Sequence, residues 1–237
     1  MTNGILYADT IAINDCIRVN VPTVGQILDN EELYYGLLSA IIATPSDYMV
    51  QLDDAGIDFS EISSFELFLL LFSGLREADT SLFFKDLDLS GFRMTVNSQN
   101  GNIVLRDDES GAVIDRAIHD KICWALRKIN HIESRNKRPG NAEAKKYMLE
   151  RARIKMRRNA RRPKESQLEG LIIALVNTEQ FKYDYAGTRD LSIYQFNASA
   201  HQIIKKINYD NTMIGCYAGT VDIKKLSQDE LTWLPLK

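Results

Sequence analysis

The sequence predicts a predominantly helical α+β fold: a small N-terminal β-hairpin or sheet with helices, then a helical C-terminal domain. Three observations carry that expectation. Apolar residues recur at intervals of three and four in separate stretches, as at Leu33, Leu37, Leu38, Ile41 and Ile42, and again at Ile193, Phe196, Ala200, Ile203 and Ile207. Short β-prone runs bounded by turn residues occur near the N-terminus and after Phe92. Ser and Glu stand three apart at Ser63 and Glu66, Ser166 and Glu169, and Ser227 and Glu230, the spacing at which each side chain can satisfy an end-of-helix amide.

Taken in order, residues 5–13 and 17–21 form the hairpin, with Asn14 and Asp15 as its turn. Pro22 closes it, and residues 24–28 make a short helical turn. The acidic cluster from Asp29 to Glu32 suits a helix N-terminus, where the dipole favours negative charge. The Leu33 stripe follows it, and Pro45 ends that helix by disfavouring the helical conformation of Thr44. A shorter helix over 46–55 is stopped by Gly56. The helix after Ser63, residues 65–75, is apolar nearly all round, so it is expected to be central to the core, with Phe68 and Leu70 both buried.

From Phe92 the period changes. Residues 92–96, 103–105 and 112–114 read as an antiparallel meander. Asp115 can cap the next helix, which buries Ile118, Ile122, Leu126 and Ile129 and leaves Lys121, Arg127 and Lys128 for solvent. The KRPG segment at 137–140 is a boundary, and residues 141–160 form a long helix with a thin apolar edge stopped by Pro163. Leu168, Leu171, Ile172, Leu175 and Val176 form an amphipathic helix after Ser166. Gly187 is expected to break the next segment before the Ile193 stripe, and Leu231 and Trp233 sit on a short last turn.

Charge divides the 237 residues more sharply than hydropathy does. Thirteen of the 29 Lys and Arg residues lie between 135 and 164, opposed only by Glu143 and Glu150. Residues 1–134 hold 9 basic and 21 acidic residues, a balance of −12. The division is therefore an acidic α+β domain over 1–134, a basic linker and long helix over 135–164, and a helical C-terminal domain over 165–237. No apolar run approaches the ~18–20 residues of a membrane span, and the N-terminus lacks the pattern of a signal peptide. Cys16, Cys123 and Cys216 are odd in number and far apart, which favours reduced, mostly buried thiols and a cytoplasmic setting.

Catalytic and metal-binding patterns are incomplete. The DLDLSG run at 86–91 begins like a calcium loop, but position twelve is Asn97 and position eight is Arg93, and a strand follows. Asp53, Asp54 and Asp58 cluster around Gly56 without a neighbouring His or Lys and read as a helix end. Asp107, Asp108 and Glu109 read as a solvated hairpin tip. His119 and Cys123 share a helix face, but a dyad needs an orienting group and an oxyanion hole. The expectation is a surface histidine beside a buried thiol. Gly215 and Gly219 read as a helix end or close helix contact. No metal, cofactor or enzymatic activity is expected.

The basic block is the one feature with a binding chemistry. Arg151, Lys155, Arg158 and Arg162 cover one helix face, and Arg153, Arg157 and Arg161 a neighbouring one. The partner-binding set is Arg151, Lys155, Arg157, Arg158, Arg161 and Arg162. Three fates are open: a protein partner or the chain's own acidic part, a solvated face, or nucleic acid, for which stacking aromatics other than Tyr147 are lacking.

Residues 50–59 (VQLDDAGIDF), the basic helix over 145–162, residues 190–196 (DLSIYQF) and 217–220 (YAGT) resemble proteins encoded by tailed bacteriophages and prophages of Gram-positive hosts. These resemble in type and size the helical tail assembly chaperones encoded near the tape-measure protein. The resemblance implies a non-enzymatic tail morphogenesis role in the cytoplasm of the bacterial host. The implied partners are phage tail proteins, either the tape-measure protein or the tube or baseplate, and possible further copies of the chain. No catalytic residue is carried over. The N-terminal β portion departs from the chaperone pattern and keeps open a structural tail or baseplate subunit of the virion. A nucleic-acid-binding regulator is the third reading.

Overall fold

A computed structural model describes residues 4–98, 101–134, 136–161 and 165–234. It is mainly helical α+β. Strands β1 (Thr10–Ala12) and β2 (Arg18–Asn20) pair antiparallel, with Ile11 opposite Val19. The Asn14 side chain makes the turn, its Oδ1 accepting from the amides of Cys16 and Ile17 at 3.0 and 2.7 Å. Residues Ile5–Tyr7, expected as strand, form a 3-10 turn instead. Helices α1 (Val24–Leu28) and α2 (Glu31–Ile41) follow. Thr23 and Gln26 form a complete capping box at α1, a Thr–Gln pair in addition to the Ser–Glu pairs of the sequence.

In α2 the buried residues are Tyr34, Leu37, Leu38 and Ile41, while Leu33 is exposed. Tyr34 takes the place expected for Leu33 because its phenol stacks on Phe83 at 4.8 Å and its hydroxyl donates to Asn130 Oδ1 at 3.0 Å. A buried phenol with its hydroxyl bonded fills more core than a leucine would. Helix α3 (Met49–Asp54) ends at Gly56, whose φ of +73° is cheap only for glycine. Helix α4 (Ser64–Arg76) starts at the expected capping box of Ser63 and Glu66. It buries Phe65, Leu67, Phe68, Phe72 and Leu75, but Leu70 is 53 % exposed. Even a helix apolar on most positions turns one side to water, and Leu70 lies on it.

Strands β3 (Arg93–Val96), β4 (Ile103–Arg106) and β5 (Val113–Ile114) form the meander in the order β3-β4-β5. Asp115 caps α5 (Arg116–Asn130) through the amide of Ile118 at 2.8 Å. Helix α6 (Ala142–Asn159) is the long basic helix and buries no residue. Helices α7 (Gln167–Val176), α8 (Tyr185–Asp190) and α9 (Ile193–Tyr217) follow, and a 3-10 turn over Ile223–Lys225 comes after them. Gly187 lies inside α8 rather than breaking it, its amide capped by Asp184 at 2.7 Å. Ser166 accepts from the amide of Glu169 at 2.8 Å. At Ser227 the amide and hydroxyl both donate to the Glu230 carboxylate at 2.8 Å, and the segment is a turn rather than a helix. Gly219 has a positive φ just past α9, so the GxxxG spacing marks a helix end.

One buried apolar cluster draws on both flanks of the basic helix, from Ile17, Val19 and Ile27 through Phe72, Leu105 and Leu126 to Leu168, Ile193 and Phe196. Main-chain bonds join the same regions: Val24 N donates to Leu191 O at 2.8 Å, and Ile193 N to Pro22 O at 2.9 Å. Gly25 permits the approach, since a Cβ there would stand 3.1 Å from the carbonyl of Arg189.

The burial within α4 separates two neighbouring substitutions. Phe68→Ala empties a packed site and should cost ~3–5 kcal/mol. Leu70→Ala removes a half-exposed side chain and should stay within about 0.5 kcal/mol of wild type. Urea unfolding of both variants measures the difference.

Candidate functional site

The basic helix begins at Asn141, whose side chain accepts from the amide of Ala144 at 2.7 Å. Its first half is docked. Met148 and Leu149 pack on a small cluster of Ala43, Leu52, Phe59 and Leu67. Lys145 pairs with Asp58 and lies 5.6 Å over the Phe59 ring. Arg153 reaches Asp53 at 2.8 Å and Asp54 at 2.6 Å. The three carboxylates around Gly56 therefore meet cations that lie about ninety to a hundred residues away, which no local pattern in the sequence reveals. Lysine at 145 and the Ser60 hydroxyl and amide hold the Asp58 carboxyl down at about 2. The same partners at Asp53 and Asp54 raise Arg153 further above its ordinary value.

The second half is different. Lys155, Arg157, Arg158 and Arg161 are exposed, and among the described residues none has a carboxylate within salt-bridge reach. Arg151 turns back onto its own helix, donating to the Tyr147 hydroxyl at 2.8 Å with its guanidinium 5.6 Å from the ring centre. Ile154 and Met156 are 52 % and 50 % exposed among these cations. Arg162 lies outside the described residues. The described members of the sequence-derived set, Arg151, Lys155, Arg157, Arg158 and Arg161, are exposed, while the two cations that bind in cis, Lys145 and Arg153, are not in that set.

His119 is not at a surface, while Cys123 is buried as expected; of the other two thiols, also expected to be mostly buried, Cys16 is exposed and Cys216 half-buried. His119 is completely buried, and its Nε2 lies 3.1 Å from the carbonyl of Ile41. Because that oxygen can only accept, the neutral ring carries its proton on Nε2. Cys123 donates to the same carbonyl at 3.4 Å. Burial lowers the His119 pKa and pushes the thiol up to about 12, which keeps both neutral. Phe68 stacks on the imidazole at 4.4 Å. The pair is a packed polar cross-link, and the thiol is deactivated as a nucleophile. Arg127, expected in solvent, is half-buried and donates to Ile42 O.

The run at 86–91 folds as a 3-10 turn over Leu89–Gly91, with Asp88 accepting from the Ser90 amide and hydroxyl at 2.9 and 2.6 Å. Among the described residues no group of three His, Cys, Asp or Glu gathers to hold a metal ion. An open cleft of about 640 Å³ lies between α9 and the Ser227 turn, lined by His201, Lys205, Asn208, Tyr209, Asp229 and Glu230. No described helix is long and apolar enough to cross a membrane.

Residues 160–235 match the family model described as YomV second domain. YomV is encoded by a Bacillus prophage, so this stretch is similar to a phage-associated domain from a Gram-positive host. The match starts where α6 ends and takes in α7, α8 and α9. No curated protein and no solved structure matches the chain.

The Asp58 contact has a definite pH signature. Its folded pKa is depressed, so its contribution to stability is fully present above the ordinary carboxylate value of 3.8 and is lost as pH falls through about 2. A carboxyl-detected NMR titration should give Asp58 a pKa of about 2 in the wild type. In Lys145→Ala it should return towards the ordinary value. An unchanged value in the variant would assign the shift to Ser60 alone.

Proposed function

We propose that the chain is a non-enzymatic phage tail morphogenesis factor, of the tail assembly chaperone type, working by protein–protein contacts in the cytoplasm of the bacterial host. Its binding surface is the exposed end of α6 beyond Arg153, through Lys155, Arg157, Arg158 and Arg161, together with Arg151 one turn earlier, and Arg162 continues the set in sequence. The expected partners are phage tail proteins, the tape-measure protein or a tube or baseplate protein.

The observation that carries this reading is the composition of that surface. Ile154 and Met156 are exposed between the cations. Burying half-exposed apolar side chains against a protein partner is favourable, and Arg, Met and Tyr are enriched at such interfaces. A phosphate backbone gains from the cations but offers nothing for Ile154 and Met156. The helix has a single aromatic residue, Tyr147, with Arg151 5.6 Å from its ring centre, so it lacks the succession of stacking rings a single strand would use. The similarity of residues 160–235 to a prophage-encoded domain supports the phage setting. A structural tail or baseplate subunit would use the same surface and stay in the finished particle. A mass spectrum of purified virions distinguishes the two, since an assembly factor is absent there.

Binding to duplex DNA and single-stranded RNA at low and moderate salt tests the class of partner. Each phosphate contact contributes a log–log salt slope of about −0.9 on duplex DNA, so weak binding at about 50 mM salt should vanish by about 200 mM. The variant carrying Arg157→Glu, Arg158→Glu and Arg161→Glu should lose that residual binding. Submicromolar affinity that survives the higher salt and is abolished in the variant would make the chain a nucleic-acid-binding protein.

A further inference from the structure

The β3-β4-β5 sheet has one open edge. Strand β5 is two residues long and leads into α5, which blunts that side. Strand β3 is exposed along its whole length and pairs with β4 without a bulge, in the register Arg93 with Arg106 to Val96 with Ile103. It carries no Pro and only one charged residue, Arg93 at its start, to protect the edge. Directly opposed residues share a face, so Val96 and Ile103, 67 % and 49 % exposed, form an apolar strip with Met94, 50 % exposed. The base of the hairpin is held by buried Phe92 and Leu105.

The phase of the ladder fixes which main-chain groups are free. Asn97 N donates to Asn102 O at 2.8 Å, so Asn97 belongs to a hydrogen-bonded pair with β4. Pairs alternate along an antiparallel ladder. Thr95 and Arg93 therefore face β4, and the N–H and C=O groups of Met94 and Val96 face away from it. Among the described residues no protein group bonds them.

We infer that β3 pairs antiparallel with β3 of a second copy of the chain, about a two-fold axis through Thr95, joining two three-stranded sheets into one of six. In this register Met94 of each copy exchanges both bonds with Val96 of the other, and all four outward groups of each strand are satisfied. A register centred on Met94 would instead need the amide of Phe92, which already donates to Leu89 O. The apolar strip becomes continuous, because Met94 lies opposite Val96 twice. The charges are compatible: Arg93 faces Asn97 of the other copy. The two Arg93 residues stand four positions apart, about 13 Å at ~3.3 Å per residue, beyond the ~8 Å screening length in physiological salt. Two four-residue strands bury far less than the ~1,200 Å² of a stable interface, so the pair is weak and concentration-dependent. This contact is separate from α6 and does not rest on the function proposed above.

Sedimentation velocity from about 10 μM to about 1 mM covers the range expected for so small a contact. The wild type should move from monomer towards dimer across it, and equally at low and high salt, because hydrogen bonds and apolar pairs carry the contact. Val96→Pro removes only an outward N–H, so it should keep the thermal transition and lose the dimer. If that variant fails to fold, Met94→Lys supplies the same readout from a side chain. In a Cys16→Ser background, Thr95→Cys should form a disulfide between copies under mild oxidation, since the Cα atoms of a non-bonded pair stand ~4.5 Å apart. A monomer throughout overturns the proposal. So does a dimer that dissociates in salt, survives in a folded Val96→Pro or Met94→Lys variant, or fails to cross-link through residue 95.

Discussion

The end of α2 is the point on which the candidate site depends. A helix leaves its last carbonyls without partners, and here those of Ile41 and Ile42 are directed into the protein. Helix α5 supplies their donors from one face at a spacing of four: His119 and Cys123 to Ile41 O, and Arg127 to Ile42 O. This clamp locks α2 to α5 and fixes where the chain leaves α2. The turn that follows is held by Asp47, which accepts from the Thr44 amide and hydroxyl at 2.8 and 2.7 Å. Helix α3 starts from that turn and carries Asp53 and Asp54, with Asp58 just beyond. The position of the acidic trio, and so of the basic helix bound to it, descends from three side chains on α5.

The α3–α6 contact combines a small apolar seat with charge. Exposed ion pairs contribute little individually, so Met148 and Leu149 supply the attachment and the carboxylates select the register along the helix. That division separates the helix into parts with different roles. Lys145 and Arg153 neutralise charge in cis, while the cations beyond Arg153 remain with exposed Ile154 and Met156. Of the three fates open to the basic block, the chain's own acidic part accounts for the first half.

What the sequence disclosed follows from what is local. The Ser63 box, the Asp115 cap, the β3-β4-β5 meander and the first part of the Ile193 stripe depend on residues three or four apart or on adjacent strands, and each forms, although Ile207 at the stripe's far end is exposed. The stripes misled where a larger group competed, as Tyr34 did with Leu33. They also misled where an apolar helix had more apolar residues than core to cover, as at Leu70. His119 was read as a surface residue because its partners, Ile41 O and Phe68, lie in other helices. The cationic surface of α6 was legible from composition. Its docked half was not, because Asp53 and Arg153 are brought together only by the tertiary fold.

Hydrogen exchange along α6 tests the division of that helix most directly. An unsupported helical end frays, whereas a packed one opens only with its neighbours. The account predicts slow exchange for amides over residues 146–153 and near-intrinsic exchange over 156–159. It further predicts that Arg153→Glu speeds the first group while leaving the second unchanged. Equal protection across the whole helix, or a first half that exchanges as freely as the second, would contradict it.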